Sequence, residues 1–489
     1  MKELYSVSAS ALLKYDKISW FRWRGRSENN VVAWNDVDDL VAYVTMDGQA
    51  FVFHPDCPSE MVSLHGDQFA PIRKVLWRPS FAGDPLLVTL DSNSQIVFWR
   101  CKQHRVNLWE VCGVIEPSSP LVAFNWTRNG QSLVCLRNDG HIAVYVVNLE
   151  RSRSEPQSRQ AASKTIYEAT PVRPGGDILG QVGFLHCGTV TPGRFDENSV
   201  AVTVVYEDTP HAIHIFHVFI PPLRQSTDLT TMDQNAGNLA GIADPSLMKR
   251  QFLVREFGNV ALDPIVDGPV ISCEPIPTSG SIFAIGEHGT LIRWAFSKPS
   301  GSQNPANKEP AIDMWCQVAR YNFRDSRPVT AMTIPENGSF VLLGFLNRSV
   351  LVLDGMNLNV IEQWAPSEEQ DPELRQWESM SQDADRQCVP WNTELDLSAI
   401  NGSKDPDSVL YNWLDTDPPE GLVYCSLETM FAGHGFFGLG VSPAACCVLG
   451  LTGKGDLRMM ILQCSLKDST QLASPLLQGM SRGIRRGGW

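Results

Sequence analysis

Short apolar runs, each stopped by a polar turn, recur along most of this chain, and the clearest set lies between residues 121 and 147. The run Leu121 to Trp126 meets a turn at Arg128-Asn129-Gly130. Leu133 to Leu136 meets a second turn at Asn138-Asp139-Gly140, and Ile142 to Val147 follows. Asn-Gly and Asp-Gly tolerate the positive φ of tight hairpins, so the stretch predicts three antiparallel strands in a meander.

The same unit recurs. Val31 to Trp34, Leu40 to Val44 and Ala50 to Phe53 form one copy; Val75 to Pro79, Leu86 to Leu90 and Ile96 to Trp99 form the next. The turn residues Asp47, Asn93 and Asp139 stand 46 positions apart, and Phe53, Trp99 or Tyr145 closes the last run six positions later. Further copies lie at 182–220, 270–296, 329–353 and 437–462. The six-residue spacing returns from His288 to Trp294, Asn347 to Leu353 and Lys454 to Met460; the copy at 182–220 is irregular. Seven copies at a period of about 40–45 residues predict an all-β fold, a seven-bladed WD40-like β-propeller with divergent repeats and long polar insertions. Three strands per copy are visible. The outermost fourth strand should be polar, with Val106 to Val111 and Trp315 to Tyr321 as candidates, and Ile18 to Trp23 as the strand that completes the last blade. A parallel α/β fold is disfavoured. The best helical window, Asp371 to Asp385, lacks an apolar face.

The propeller is expected to span residues 1–465, with flexible polar insertions at about 150–178, 222–250 and 365–420, and a flexible, basic tail at 466–489. The chain has 489 residues, 43% of them hydrophobic and 19% charged, enough apolar material for a large core. Its net charge of −14 argues against a main role in coating nucleic-acid phosphates, so no strong direct nucleic-acid binding is expected. No apolar stretch approaches the length of a membrane-spanning helix, and no membrane partner is expected. Twelve cysteines lack any Cys-x-x-Cys pair, and Cys135, Cys187 and Cys273 fall in expected strands. They are expected to be buried reduced thiols of a cytosolic or nuclear protein.

Few side chains suggest chemistry. His211, His214 and His217 resemble a metal set, but alternation along a strand would put 211 and 217 on one face and 214 on the other. Cys446 and Cys447 are adjacent and cannot share a face. Gly435, Gly438 and Gly440 match no phosphate loop, because no helix follows; close packing of a blade explains them better. No catalytic, metal or cofactor-binding residue is assigned and no cofactor is expected. A propeller enzyme would need polar side chains converging from the first strands, which are expected to be almost wholly apolar.

The copies lack the Trp-Asp ending of common WD repeats. Their order nevertheless resembles the N-terminal propeller of the Mediator subunit 16 family, a tail-module component of the RNA polymerase II coactivator. The residues carrying the resemblance are Val31 to Trp34 with Leu40 to Ala42, and Gln95 to Trp99 with Trp109-Glu110 and Gly113. Pro120 to Trp126 with Asn129-Gly130, and Leu439 to Pro443 with Leu449 to Leu451 and Gly455 to Leu457, complete the set. The resemblance implies a nuclear, non-catalytic scaffold that docks tail-module subunits and relays transcription-factor signals to RNA polymerase II. It also implies a helical region after the propeller, whereas this chain ends at Trp489. The alternative is a propeller adaptor in another nuclear or cytosolic assembly.

Overall fold

The computed structural model describes residues 2–7, 31–35, 40–45, 48–58, 60–64, 70–79, 85–102, 105–147, 166–168, 184–193, 196–220, 252–297, 314–323, 329–345, 349–365, 436–443, 447–452 and 457–462. Among them every regular element is a strand, and the strands make seven antiparallel four-stranded sheets. The chain is a seven-bladed β-propeller.

The first strand, β1 (Lys2–Val7), belongs to the last sheet. Blade one is β2 (Val32–Trp34), β3 (Val41–Val44), β4 (Ala50–Phe53) and β5 (Val62–Leu64). Blade two is β6 (Ile72–Trp77), β7 (Leu86–Asp91), β8 (Ile96–Lys102) and β9 (Arg105–Ile115). Blade three is β10 (Leu121–Trp126), β11 (Ser132–Arg137), β12 (Ile142–Val147) and β13 (Ile166–Glu168). Blade four is β14 (Leu185–Pro192), β15 (Ser199–Tyr206), β16 (Ala212–Phe219) and β17 (Leu253–Ala261). Blade five is β18 (Val270–Ile276), β19 (Ser281–Gly286), β20 (Thr290–Ser297) and β21 (Met314–Asn322). Blade six is β22 (Val329–Thr333), β23 (Phe340–Phe345), β24 (Val350–Asp354) and β25 (Val360–Trp364). Blade seven is β26 (Phe436–Val441), β27 (Cys447–Thr452), β28 (Leu457–Ile461) and β1.

By contact density the chain divides into two compact units, Leu76–Arg320 and Met1–Val75 with Tyr321–Trp489. In the first unit, three apolar cores lie between consecutive sheets. Blades two and three enclose Phe98, Phe124, Trp126 and Tyr145; blades three and four enclose Leu136, Val144, Val202 and Phe216; blades four and five enclose Val205, Ile215, Ile282 and Trp294. In the second unit, blades six and seven enclose Leu342, Val352, Phe436 and Met460, and blades seven and one enclose Val31, Tyr43, Leu451 and Met459. Second strands are therefore buried on both faces, as the unbroken burial of β7, β19 and β23 shows. That is why they read as continuous apolar runs, each buried side chain contributing about 1.5–3 kcal/mol. All six closing residues (Phe53, Trp99, Tyr145, Trp294, Leu353 and Met460) are buried in third strands. Trp99 also needs a polar partner, and its indole N–H donates to Thr89 Oγ1 at 2.9 Å.

The 46-residue repeat has a backbone cause. Gly48, Ser94 and Gly140 each follow the turn residue and have φ of 81°, 65° and 79°; Gly289 repeats this at 80°. A left-handed residue there matches the twist of the flanking strands. Asp91 supports its turn by accepting from the N–H groups of Asn93 and Gln95 at 2.9 and 2.8 Å. In the irregular copy, residues 207–211 form a wider connection.

A second recurrent device was invisible in the residue pattern. Five first strands slip register just after their first paired residue, at Leu121/Ala123, Leu185/Cys187, Val270/Ser272, Val329/Ala331 and Phe436/Gly438. Each slip is a β-bulge of one extra residue, which raises local twist and turns the side chains that follow. Leu121 and Phe124 thus both pack toward blade two, whereas Ala123 packs toward blade four.

The expected outer strands at 106–111 and 315–321 are β9 and β21. Two expectations change. Residues 150–178 are not loop throughout, because β13 lies within them and pairs with β12. The last blade is completed by Lys2–Val7, paired antiparallel with β28 from Lys2↔Ile461 to Val7↔Leu457. Ile18 to Trp23 lies outside the described residues, as do 222–250, the insertion at 366–420 and the tail at 466–489.

Deleting residues 1–7 should strip β28 of its edge partner, lower Tm by ~5 °C or more and promote aggregation through the bared edge. Calorimetry and light scattering check this; an unchanged Tm would contradict it.

Candidate protein interface on blades four and five

The sequence-based metal candidates separate. His211 precedes β16 in a turn, so it shares no strand face with His217. His214 and His217 lie on opposite faces of β16 by strand alternation: Phe216 and Val218 enter the core with blade three, Ile213 and Ile215 the core with blade five. His214 packs edge-on against Tyr206 at 5.6 Å, and burial lowers the pKa of both His214 and His217. Cys446 lies outside the described residues, and Cys447, in β27, packs partly buried beside the core between blades seven and one. Gly435 is likewise outside. A Cβ on Gly438 or Gly440 would fall 2.2 or 2.6 Å from Val31 or Val32, so these glycines let blades seven and one approach. No His, Cys, Asp or Glu group among the described residues could hold a metal.

Several first strands carry polar side chains, against the expectation of almost wholly apolar first strands: Arg73 and Lys74 in β6, Asn125 in β10 and Thr330 in β22. Strand β14 carries Thr189, and β18 carries Ser272 and Glu274. Glu274 keeps some solvent access, yet burial pushes its carboxyl up to about 8.

The outer strands of blades four and five carry an aromatic cluster. In β17 the register slips so that Ile215 faces Gly258 and Phe216 faces Glu256, which leaves Phe257 as the bulged residue. Gly258 has φ 122°, a conformation other residues rarely adopt, and a Cβ there would press on the Trp315 ring at 3.1 Å. Phe257 is thereby turned outward. Its ring stacks on Phe296 of β20 at 4.6 Å, and Trp315 of β21 packs edge-on to both, at 5.9 and 5.4 Å. The indole N–H of Trp315 donates to the Phe257 carbonyl at 3.2 Å. The cluster is only partly covered: Phe257 is 42% exposed, and Leu253 and Val318 on the same two strands are 63% and 49% exposed.

The connection from β17 to β18 holds a further apolar residue at the surface. Asp263 accepts from the N–H groups of Ile265 and Val266 at 2.9 and 3.0 Å, and those bonds hold its carboxyl below the usual carboxylate range. Asp267, 1% exposed, accepts from Thr290 Oγ1 at 2.8 Å and from the Arg320 guanidinium. Two carboxylates thus fix the loop from within, and Ile265 stands at its tip, 86% exposed. A loop held by internal hydrogen bonds, an exposed isoleucine and a partly exposed aromatic cluster are features of a surface that binds protein. The sequence held one signal for it: Gly258 inside an outer strand, where an isolated glycine marks a bulge.

No family model matches the chain, and no curated protein matches it. Solved structures do. The Myceliophteria thermophila Cps50 (Swd1) β-propeller domain is 8% identical over 90% of this chain and 98% of that one, with a TM-score of 0.48. Saccharomyces cerevisiae Sqt1 is 11% identical over 75% and 78%, with a TM-score of 0.43. The C-terminal WD40 domain of Sif2 is 10% identical over 89% and 97%, also at 0.43. At these values the fold rests on the sheet topology.

Because the Glu274 pKa is raised in the folded chain, its contribution to stability is complete below its ordinary value of 4.5 and is lost as pH rises toward about 8. Glu274→Gln should therefore raise Tm by roughly 3 °C at pH 8.5 and leave it within about 1 °C at pH 4.5. A gain that is the same at both pH values would contradict the assignment.

Proposed function

We propose that this chain is a non-catalytic scaffold that docks other proteins on the rim of blades four and five. The observation that carries this reading is the partly exposed aromatic cluster of Phe257, Phe296 and Trp315, with the exposed Ile265 on the loop that follows β17. Interface anchors are enriched in aromatic residues, and a pre-ordered loop costs less entropy on binding. In its finer form, the assembly it serves is the nuclear Mediator coactivator, where it docks tail-module subunits and relays transcription-factor signals to RNA polymerase II. What supports this is the resemblance carried by segments in β2, β8, β10, β26 and β27. The second reading is an adaptor in another nuclear or cytosolic assembly.

Affinity purification of the tagged full chain with mass spectrometry tests both. Recovery of Mediator tail subunits supports the finer reading; recovery of a different stable assembly overturns it and keeps the scaffold. Ile265→Asp combined with Phe257→Ala should reduce recovery at least tenfold, about 1.4 kcal/mol, with Tm nearly unchanged. Undiminished recovery would remove this rim from the proposal.

A further inference from the structure

The bulges of the first strands bring two thiols together. In β14 the slip at His186 sends Leu185 toward blade three and Cys187 toward blade five. In β18 the slip at Ile271 leaves Val270 and Cys273 both facing blade four. The two strands pack directly on one another, and Cys187 packs against the core that holds Cys273. By register, the corresponding positions hold Ala123 and Gly188 between blades three and four, and Ala331 and Leu439 between blades six and seven. A thiol pair is a property of the blade four to blade five interface among those described.

Polar side chains surround it. Thr203 Oγ1 lies 3.2 Å from Cys273 Sγ and 2.7 Å from Thr189 Oγ1, and Thr189 Oγ1 donates to the Cys273 carbonyl at 3.1 Å. Cys187 Sγ also reaches the Val270 carbonyl at 3.8 Å. Cys273 is buried, whereas Cys187 keeps partial access to solvent. We propose that Cys187 and Cys273 are a modification site, a reversible disulfide formed by hydroperoxides that ties the first strands of blades four and five.

The accessible Cys187, as its thiolate, attacks a peroxide oxygen. The O–O bond breaks, and Cys187 becomes a sulfenic acid while the other oxygen leaves as water or alcohol. The Cys273 thiolate then attacks the Cys187 sulfur, forming the S–S bond and expelling hydroxide, which takes up a proton. Two thiols and one hydroperoxide give one disulfide, one water and one alcohol or second water; the two electrons come from the sulfurs. The donors suit the second role. Hydrogen bonds from Cys187 and then Thr203 favour the Cys273 thiolate against burial and the neighbouring Glu274, and its pKa is lowered. Cys112 is the contrast, a partly buried thiol that burial pushes up to about 11. Closing the bond requires the ordinary Cα separation of about 4.4–6.8 Å.

The test exposes the purified full chain to a few equivalents of hydrogen peroxide, then maps disulfides by non-reducing digestion and mass spectrometry. The expected result is a Cys187–Cys273 cross-link that forms at least tenfold faster than Cys112 oxidises and is reversed by dithiothreitol. Cys187→Ser should abolish it and leave Cys273 reduced. Cys273→Ser should trap Cys187 as a sulfenic acid that dimedone labels; if that buried substitution unfolds the chain, Cys187→Ser with wild-type Tm still decides. Peroxide that oxidises other cysteines first, or carries Cys187 to sulfinic acid without the cross-link, would overturn the proposal.

Discussion

The fold depends on sheets packing face to face within each unit, with apolar cores between consecutive blades. A strand such as β19, with every residue from Ser281 to Gly286 buried, has no surface of its own and is stable only inside a stack. Hence the repeats accumulate, and the last sheet borrows β1 from the other end of the chain. The bulge that opens five first strands serves the same end, adding twist where neighbouring sheets must pack at an angle.

Two-sided burial also decides where function can sit. Inner strands are committed to packing, so the surface left for partners is the outer strands and the connections. Blade four departs most from the regular repeat, and its outer strand β17 carries the bulged Phe257 that meets Phe296 and Trp315 of blade five. The same interface holds Thr189, Thr203 and the thiol pair. The irregular repeat and the chemistry coincide.

How much of this was legible follows from the same physics. Inner strands announce themselves because both faces are apolar, and the turns because Gly48 and Gly140 need positive φ. Outer strands such as Val62–Leu64 and Ile166–Glu168 are short, and β1 begins Lys2-Glu3, so apolar density is no guide to them. Ile18 to Trp23 attracted the assignment of the completing strand through its aromatic content, although pairing at an edge requires no such content. Bulges are hidden in uniformly apolar runs such as Leu121-Val122-Ala123, where a slip of one residue leaves no mark. Cys187 and Cys273 were legible as strand thiols, but which of them face each other depends on two such slips.

Hydrogen–deuterium exchange of the full chain tests the account most directly. Two-sided burial predicts the slowest exchange in the second and third strands of every blade, including β19 and β23, and markedly faster exchange in the outer strands β5, β9, β17, β21 and β25. Lys2–Val7, the outer strand of blade seven, should be protected to the same degree as these, because β28 lies against it. Outer strands as protected as β19, or an unprotected Lys2–Val7, would contradict the account.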